Sequence, residues 1–410
     1  MIEFEKARRL ILSAAKPLGE ESVPLNEALG RVCARAVAAA GDLVPFARSA
    51  MDGFAVAATD LSRAPVRLPV TATVFAGDAG APEQRAGTAT RIATGAPLPQ
   101  GADAVVPVEC VRAHNGHVEI DEPLQSGEHV FPPAEDARRG DLLVQRGDVI
   151  DAGRIGLLAA DGKAAVAVFK LPRVAIACTG DELVRIDESP KHGQVRNSNA
   201  PMLAAAVKQS GALSVHESWV RDEPAALRHV LEEALAVADV LVTSGGASAG
   251  ERDYVKNALR ALGFEFLFSS VAMRPGRPSA FGRKAEKLAA VLPGNPAAAY
   301  TAFMQLAAPA LRMLGGRRPT QAPALRAKLT RALSGKEGLQ LFVFAQLRAE
   351  YDGSLSVEPL ANQCSALVRT AADANCFVRL PPEKRQWQPG DSVAVELLRW
   401  EDVSLAVLAD

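Results

Sequence analysis

The stretch from Ala238 to Tyr254, ADVLVTSGGASAGERDY, constrains the fold of this chain most. A β-branched apolar run, Val240-Leu241-Val242, stops at Thr243-Ser244-Gly245-Gly246 and gives way to a helical pattern, with Asp253 at the restart. This reads as a strand, a glycine turn and a helix opening. Such a turn brings backbone N–H groups close to a ligand, and the following helix adds the positive end of its dipole, so an oxyanion is favoured there. A glycine pair after a strand is also ordinary connection chemistry, and its neighbours must decide between the two.

Two further apolar runs end alike. Arg173 to Cys178 runs into Thr179-Gly180-Asp181-Glu182, and Leu288 to Leu292 into Pro293-Gly294-Asn295-Pro296. Ligands of open parallel sheets bind beyond the carboxyl ends of the strands, where the loops converge, so the three turns predict one shared site. Between the second and third lies Arg274-Pro275-Gly276-Arg277-Pro278, two guanidinium groups on a stiff segment, suited to phosphate and other oxyanions.

At 410 residues the chain exceeds one core, and its texture changes along its length. Residues 1 to about 37 read as a helical arm, broken at Val23-Pro24-Leu25 and resumed from Glu27, that needs a partner surface on another segment or another subunit. Residues 38–134 are short β-like runs between Gly and Pro turns. Residues 135–166 open with Glu135-Asp136 and end in a helix from Ala152 to Ala160. Residues 167–320 alternate strand and helix, predicting a three-layer α/β domain, with Gly315 to Pro319 as linker. The last ninety or so are β-like without a helical pattern, predicting a small barrel or sandwich.

Composition narrows the chemistry. With 48% hydrophobic and 23% charged residues and a net charge of −1, anion binding must come from a local cluster, which disfavours nucleic acid as the main partner. The amphipathic start, the lack of a signal-peptide pattern and the lack of a long apolar run point to a cytoplasmic protein with no membrane partner. Five scattered cysteines without C-x-x-C, and six histidines without ligand spacing, argue against structural zinc.

Separated carboxylates at Glu182, Asp222 and Asp253 suit Mg²⁺, while backbone amides and Arg274 and Arg277 suit phosphate, a combination fit for phosphoanhydride chemistry or oxyanion transfer. Asp222 equally suits the N-cap of a helix starting at Pro224. Asp52 before Gly53, and Thr94 before Gly95, read on local chemistry as turn residues, and Glu135-Asp136 as either a cap or a cation site.

Taken together, the motifs resemble one family. S-A-M-D-G at 49–53, A-T-G-A-P at 93–97, A-E-D at 134–136, T-G-D-E at 179–182, R-D at 221–222, T-S-G-G-x-S-x-G-x-x-D-Y at 243–254, R-P-G-R-P at 274–278 and P-G-N-P at 293–296 are similar to the MoeA family of molybdopterin molybdenumtransferases, to which the E domain of gephyrin is also related. The resemblance covers nearly the whole chain in order. It implies an elongated homodimer of four domains: 1–37 with 135–166 as domain I, 38–134 as a β-rich domain II, 167–320 as a MogA-like α/β domain III and 321–410 as a β-barrel domain IV.

It also implies the reaction. Adenylylated molybdopterin and molybdate would bind, molybdenum would enter the dithiolene, and AMP would leave with Mg²⁺ assistance; a MogA-like molybdopterin adenylyltransferase would supply the substrate. Asp253, Arg274 and Arg277 with the Gly245-Gly246 turn would hold the pterin phosphate or adenylate. Thr179, Gly180, Ser244, Ser248, Pro293, Gly294 and Pro296 would line the substrate, and Glu182 and Asp222 would sit at the metal or pterin end. Asp52, Thr94 and Asp136 would close the cleft from the other subunit. This chain departs from the pattern at Phe131-Pro132-Pro133-Ala134, where arginines and a glycine are usual, at Asn197 for Asp, at Arg274 and Arg277 for lysines, and at Cys364 for glycine. The alternative reading is a catalytically weak scaffold or paralogue that binds the intermediates, or one preferring tungstate.

Overall fold

The structure is a computed structural model that describes residues 1–80, 82–221, 223–246, 254–318, 320, 324–399 and 402–405. Its central sheet has six strands: β1 (Arg173–Thr179), β2 (Leu213–Val220), β3 (Val240–Ser244), β4 (Glu265–Phe268), β5 (Ala280–Lys284) and β6 (Lys287–Leu292), in the order β2-β1-β3-β6-β5-β4. The first four in that order run parallel, and the β5 and β4 edge is antiparallel. β1, β3 and β6 are buried almost throughout, which is why their sequences are unbroken apolar runs and not alternations.

Register places the site. Cys178 lies opposite Ser244, and Ser244 opposite Leu292, so the turns after β1, β3 and β6 emerge side by side. One face of the sheet is covered by the helix Asn199–Gln209 and by the long helical run 296–314, the other by Pro224–Val237 and Tyr254–Ala261. The run 296–314 is interrupted by a π turn at Phe303–Ala307.

The helical arm is shorter than its sequence suggests. Only Phe4–Ala14 is α-helical, and its buried Phe4, Ala7 and Ile11 pack into the core that also holds Phe303, Phe342 and Phe377. Its partner surface is therefore the chain's own α/β domain and barrel. The expected continuation from Glu27 does not form: Glu20–Pro24 pairs antiparallel with Ala165–Phe169, Val37–Ala38 pairs with Leu142–Val144, and Val32 and Cys33 bridge to Val149 and Val168. Val23, Ala28 and Cys33 are buried with Ile150, Leu158 and Val168, so tertiary packing overrides the alanine-rich helix propensity there.

Residues 53–120 contribute a second sheet of six strands, in the order Ala104–Pro107, Gly53–Val56, Ala89–Ile92, Val66–Val74, His117–Ile120, Val111–His114. In the C-terminal region Gln340–Ala349, Leu355–Pro359, Ala324–Leu329, Ser392–Leu397 and Cys376–Leu380 pair in a ring, closing through Leu341 opposite Leu380 into a barrel filled by Leu347, Val357, Val378 and Val395. Against expectation, this region carries a one-and-a-half-turn helix, Val368–Asp373. No helix among the described residues is long and apolar enough to cross a membrane.

Candidate functional site

The three turns meet as the register requires. A Cβ on Gly245 would lie 2.2 Å from the Thr179 carbonyl oxygen, and one on Gly294 would lie 3.5 Å from the Gly245 Cα. Gly245 also holds φ +99, so glycine is needed there for both contact and conformation.

Asn199, at the start of a helix, clasps two of the turns. Its Nδ2 donates to Ser244 Oγ at 2.8 Å and to the Gly294 carbonyl at 2.7 Å, and Ser244 Oγ in turn donates to the Pro293 carbonyl at 3.0 Å. Sequence reasoning did not single out Asn199 as a site residue, because a polar residue opening an apolar helix has the look of a cap. Its side-chain oxygen Oδ1 and the hydroxyl of Thr179 are buried and have no hydrogen-bond partner among the described residues.

Over these turns opens a cavity of about 700 Å³, whose lining includes Thr179, Gly180, Glu182, Gly245, Gly246, Pro293, Gly294 and Pro296, with Ser244 directly beneath. The size suits a small-molecule cofactor or substrate. Arg196, Asn197, Asn199 and Pro278 are among the other wall residues, and Ala366 and Val368 reach it from the C-terminal region. No hydrogen bond ties the amides of Gly246, Gly294 or Asn295 to a described residue, whereas Gly180 and Gly245 donate to Val220 and Leu292. The Ala297 and Ala298 amides, at the opening of the next helix, donate to the Ser365 carbonyl at 3.0 and 3.4 Å, so that helix end is capped by the C-terminal region and not left open to an anion. Behind the wall, burial pushes the Cys178 thiol up to about 11, which keeps it protonated and inert.

The remaining sequence candidates lie elsewhere. Arg274 and Arg277 are exposed, line none of this cavity and make no ion pair or side-chain hydrogen bond with a described residue; Pro278 is the member of their segment at its wall. Asp52 and Thr94 are brought together in the β-rich sheet region: one carboxylate oxygen of Asp52 accepts from the Thr94 amide at 2.7 Å and from its hydroxyl at 2.9 Å. Those bonds, the amide first, hold the Asp52 carboxyl below its ordinary pKa. Gly53 follows because a Cβ there would strike the Val106 carbonyl at 2.0 Å. Asp136 is exposed on a loop away from the cavity lining. Asp222, Ser248 and Asp253 lie outside the described residues, and among the described residues no three His, Cys, Asp or Glu side chains cluster as a metal site.

Comparison with known proteins completes the description. Residues 2–162 match the MoeA N-terminal region (domain I and II), 175–313 a probable molybdopterin binding domain, and 326–398 the MoeA C-terminal region (domain IV). A molybdopterin molybdenumtransferase of Bacillus subtilis is 33% identical, with 98% of this chain and 95% of that protein aligned. One from Nostoc is 39% identical over 72% of this chain and 70% of that protein. The crystal structure of the molybdopterin biosynthesis MoeA protein from Pyrococcus horikosii superposes with a TM-score of 0.80 at 32% identity, covering 97% of this chain and 99% of that one.

Proposed function

This chain belongs to the MoeA family, and from that premise we propose that it inserts molybdenum into adenylylated molybdopterin, taking molybdate as the substrate anion and releasing AMP. It is a transferase of molybdenum cofactor biosynthesis. The observation that carries the finer reading is the cavity where three strand ends converge, lined by Gly246, Gly294 and Asn295, whose amides donate to no described residue, and by Glu182.

That donor and acceptor set matches a ligand with an oxyanion at one end and N–H groups at the other. The backbone amides bind phosphate oxygens without a change of protonation. Arg274 and Arg277, exposed beside Pro278 and paired with no described residue, draw the anionic substrate in and hold its phosphate or adenylate end. Asn199, through its bonds to the Ser244 hydroxyl and the Gly294 carbonyl, holds two of the turns in place beneath the substrate. Together these groups position the dithiolene and the leaving phosphate, which is most of what such a transfer asks of the protein.

Mg²⁺ typically takes one or two carboxylates and keeps waters and substrate oxygens, and Glu182 at the cavity wall offers one such carboxylate, so the described residues fit it. Asp222 and Asp253 are the other ligands in this reading. When bound, Mg²⁺ supplies charge neutralisation at the phosphate. Asp52, Thr94 and Asp136 close the cleft from a second subunit of a homodimer; the domain limits are 1–37 with 135–166, 38–134, 167–320 and 321–410; the protein is cytoplasmic; and a MogA-like adenylyltransferase is the substrate donor. Release of AMP from adenylylated molybdopterin with Mg²⁺, titrated with molybdate and separately with tungstate, tests this. Saturable, anion-dependent release ranks the anions; tight substrate binding with no release under either would leave a scaffold in place of an enzyme.

A further inference from the structure

Trp219 stands near the end of β2, an edge strand of the central sheet, abreast of Cys178 in β1, and its indole Nε1 donates to the Gly180 carbonyl at 3.2 Å. We propose that Trp219 is a positioning residue of the substrate cavity, whose indole N–H fixes the turn that presents the Glu182 carboxylate.

Gly180 and Glu182 line the cavity, and Trp219 reaches it only through Gly180. The Gly180 carbonyl also accepts from the Leu183 amide at 3.3 Å, closing a four-residue turn with Glu182 at its third position. The Gly180 amide donates to the Val220 carbonyl at 3.4 Å. Both backbone bonds lie beyond the usual range of about 2.7–3.2 Å, so the indole bond is the shortest of the three that hold Gly180. The far end of the turn is tied by the Val195 amide, which donates to the Glu182 carbonyl at 2.8 Å.

The Glu182 carboxylate itself accepts from no described residue and pairs with no described cation, so the backbone of the turn decides where it stands. It lies against Gly180: a Cβ on that glycine would meet both carboxylate oxygens at 2.7 Å. Whatever holds the Gly180 peptide therefore holds the carboxylate. Trp219 is 38% exposed, so little of the core depends on its ring, and phenylalanine in its place keeps the ring while removing the donor. This role rests on Glu182 serving AMP release as a Mg²⁺ ligand, as proposed above.

The test is a double-mutant cycle of Trp219→Phe and Glu182→Gln in the full-length protein, read as the Mg²⁺ concentration that half-saturates AMP release. Loss of one neutral hydrogen bond predicts a rise of about 3- to 10-fold in that concentration for Trp219→Phe, and no further rise when Trp219→Phe is added to Glu182→Gln. Additive effects, or an unmoved Mg²⁺ midpoint in Trp219→Phe, overturn the proposal; a tryptophan serving stability alone would lower the melting temperature and leave that midpoint in place. Should Trp219→Phe not fold, benzothienylalanine at 219, which keeps the shape of the ring and lacks the N–H, replaces it in the cycle. No AMP release by wild type with either anion defeats the functional reading, whereas silence in Glu182→Gln alone does not. In both cases a crystal structure of the position-219 variant decides: a Glu182 carboxylate displaced from Gly180 supports the positioning role, and one still against Gly180 overturns it.

Discussion

Asn199 Nδ2 donates to the Ser244 hydroxyl at 2.8 Å, joining the first turn of a helix to the last residue of the central strand β3. Because the same nitrogen reaches the Gly294 carbonyl, one amide holds two of the three turns in register. Asn199→Leu keeps the volume and removes the donor, leaving a buried carbonyl unpaired. The expected loss is about 1–3 kcal/mol of stability by urea unfolding, with a larger fall in AMP release than in folded fraction. Unchanged turnover in a folded variant would mean that the clasp is structural only.

Gly245→Ala places a methyl 2.2 Å from the Thr179 carbonyl oxygen at a φ of +99. Gly116→Ala, with φ +73 and nothing within 4 Å, is the control. The control should cost about 1–2 kcal/mol for conformation alone, and Gly245→Ala about 1–3 kcal/mol more, with loss of pterin binding. Equal midpoints for the two in urea would show that the turns separate freely.

Asp52 carries a pH signature. Its folded pKa is lowered, first by the Thr94 amide, so its stabilising contribution is present above the unfolded value of about 3.9 and is lost as pH falls through the lower folded value. Asp52→Asn should therefore melt below wild type near neutral pH, and the gap should close in acid below about pH 4. A gap independent of pH would place the effect in packing and not in the carboxylate.

Arg274 and Arg277 are exposed and unpaired by any described residue, so Arg274→Ala and Arg277→Ala should change stability by no more than about 0.5 kcal/mol. Substrate affinity should nevertheless fall about 10- to 100-fold, as expected for a charged hydrogen bond, with a weaker dependence on salt. Equilibrium binding at two ionic strengths checks this; unaltered affinity would remove both from the substrate path.

Much of this was legible in sequence because local and tertiary preferences agree. The helix Pro224–Val237 begins where the sequence places it, since Pro224 starts it and Leu227, Leu231 and Leu235 keep one face buried. The convergence of Thr179, Gly245 and Gly294 followed from three buried strands ending in small residues. Where the two conflict, sequence misled. Alanine-rich residues 28–39 favour helix locally, but Ala28 and Cys33 are buried against Ile150 and Val168 and the backbone bridges to strands. Strand β5 escaped notice because its centre is Gly282, followed by Arg283 and Lys284. Asn199 carries no local signal, since its partners are 45 and 95 residues away.

The central claim is that the substrate sits where β1, β3 and β6 end. A crystal structure of the protein soaked with molybdopterin tests it most directly. The account predicts ligand density filling the cavity against Gly246 and Gly294, within hydrogen-bond distance of their amides. Density on another surface, with this cavity holding only solvent, would contradict it.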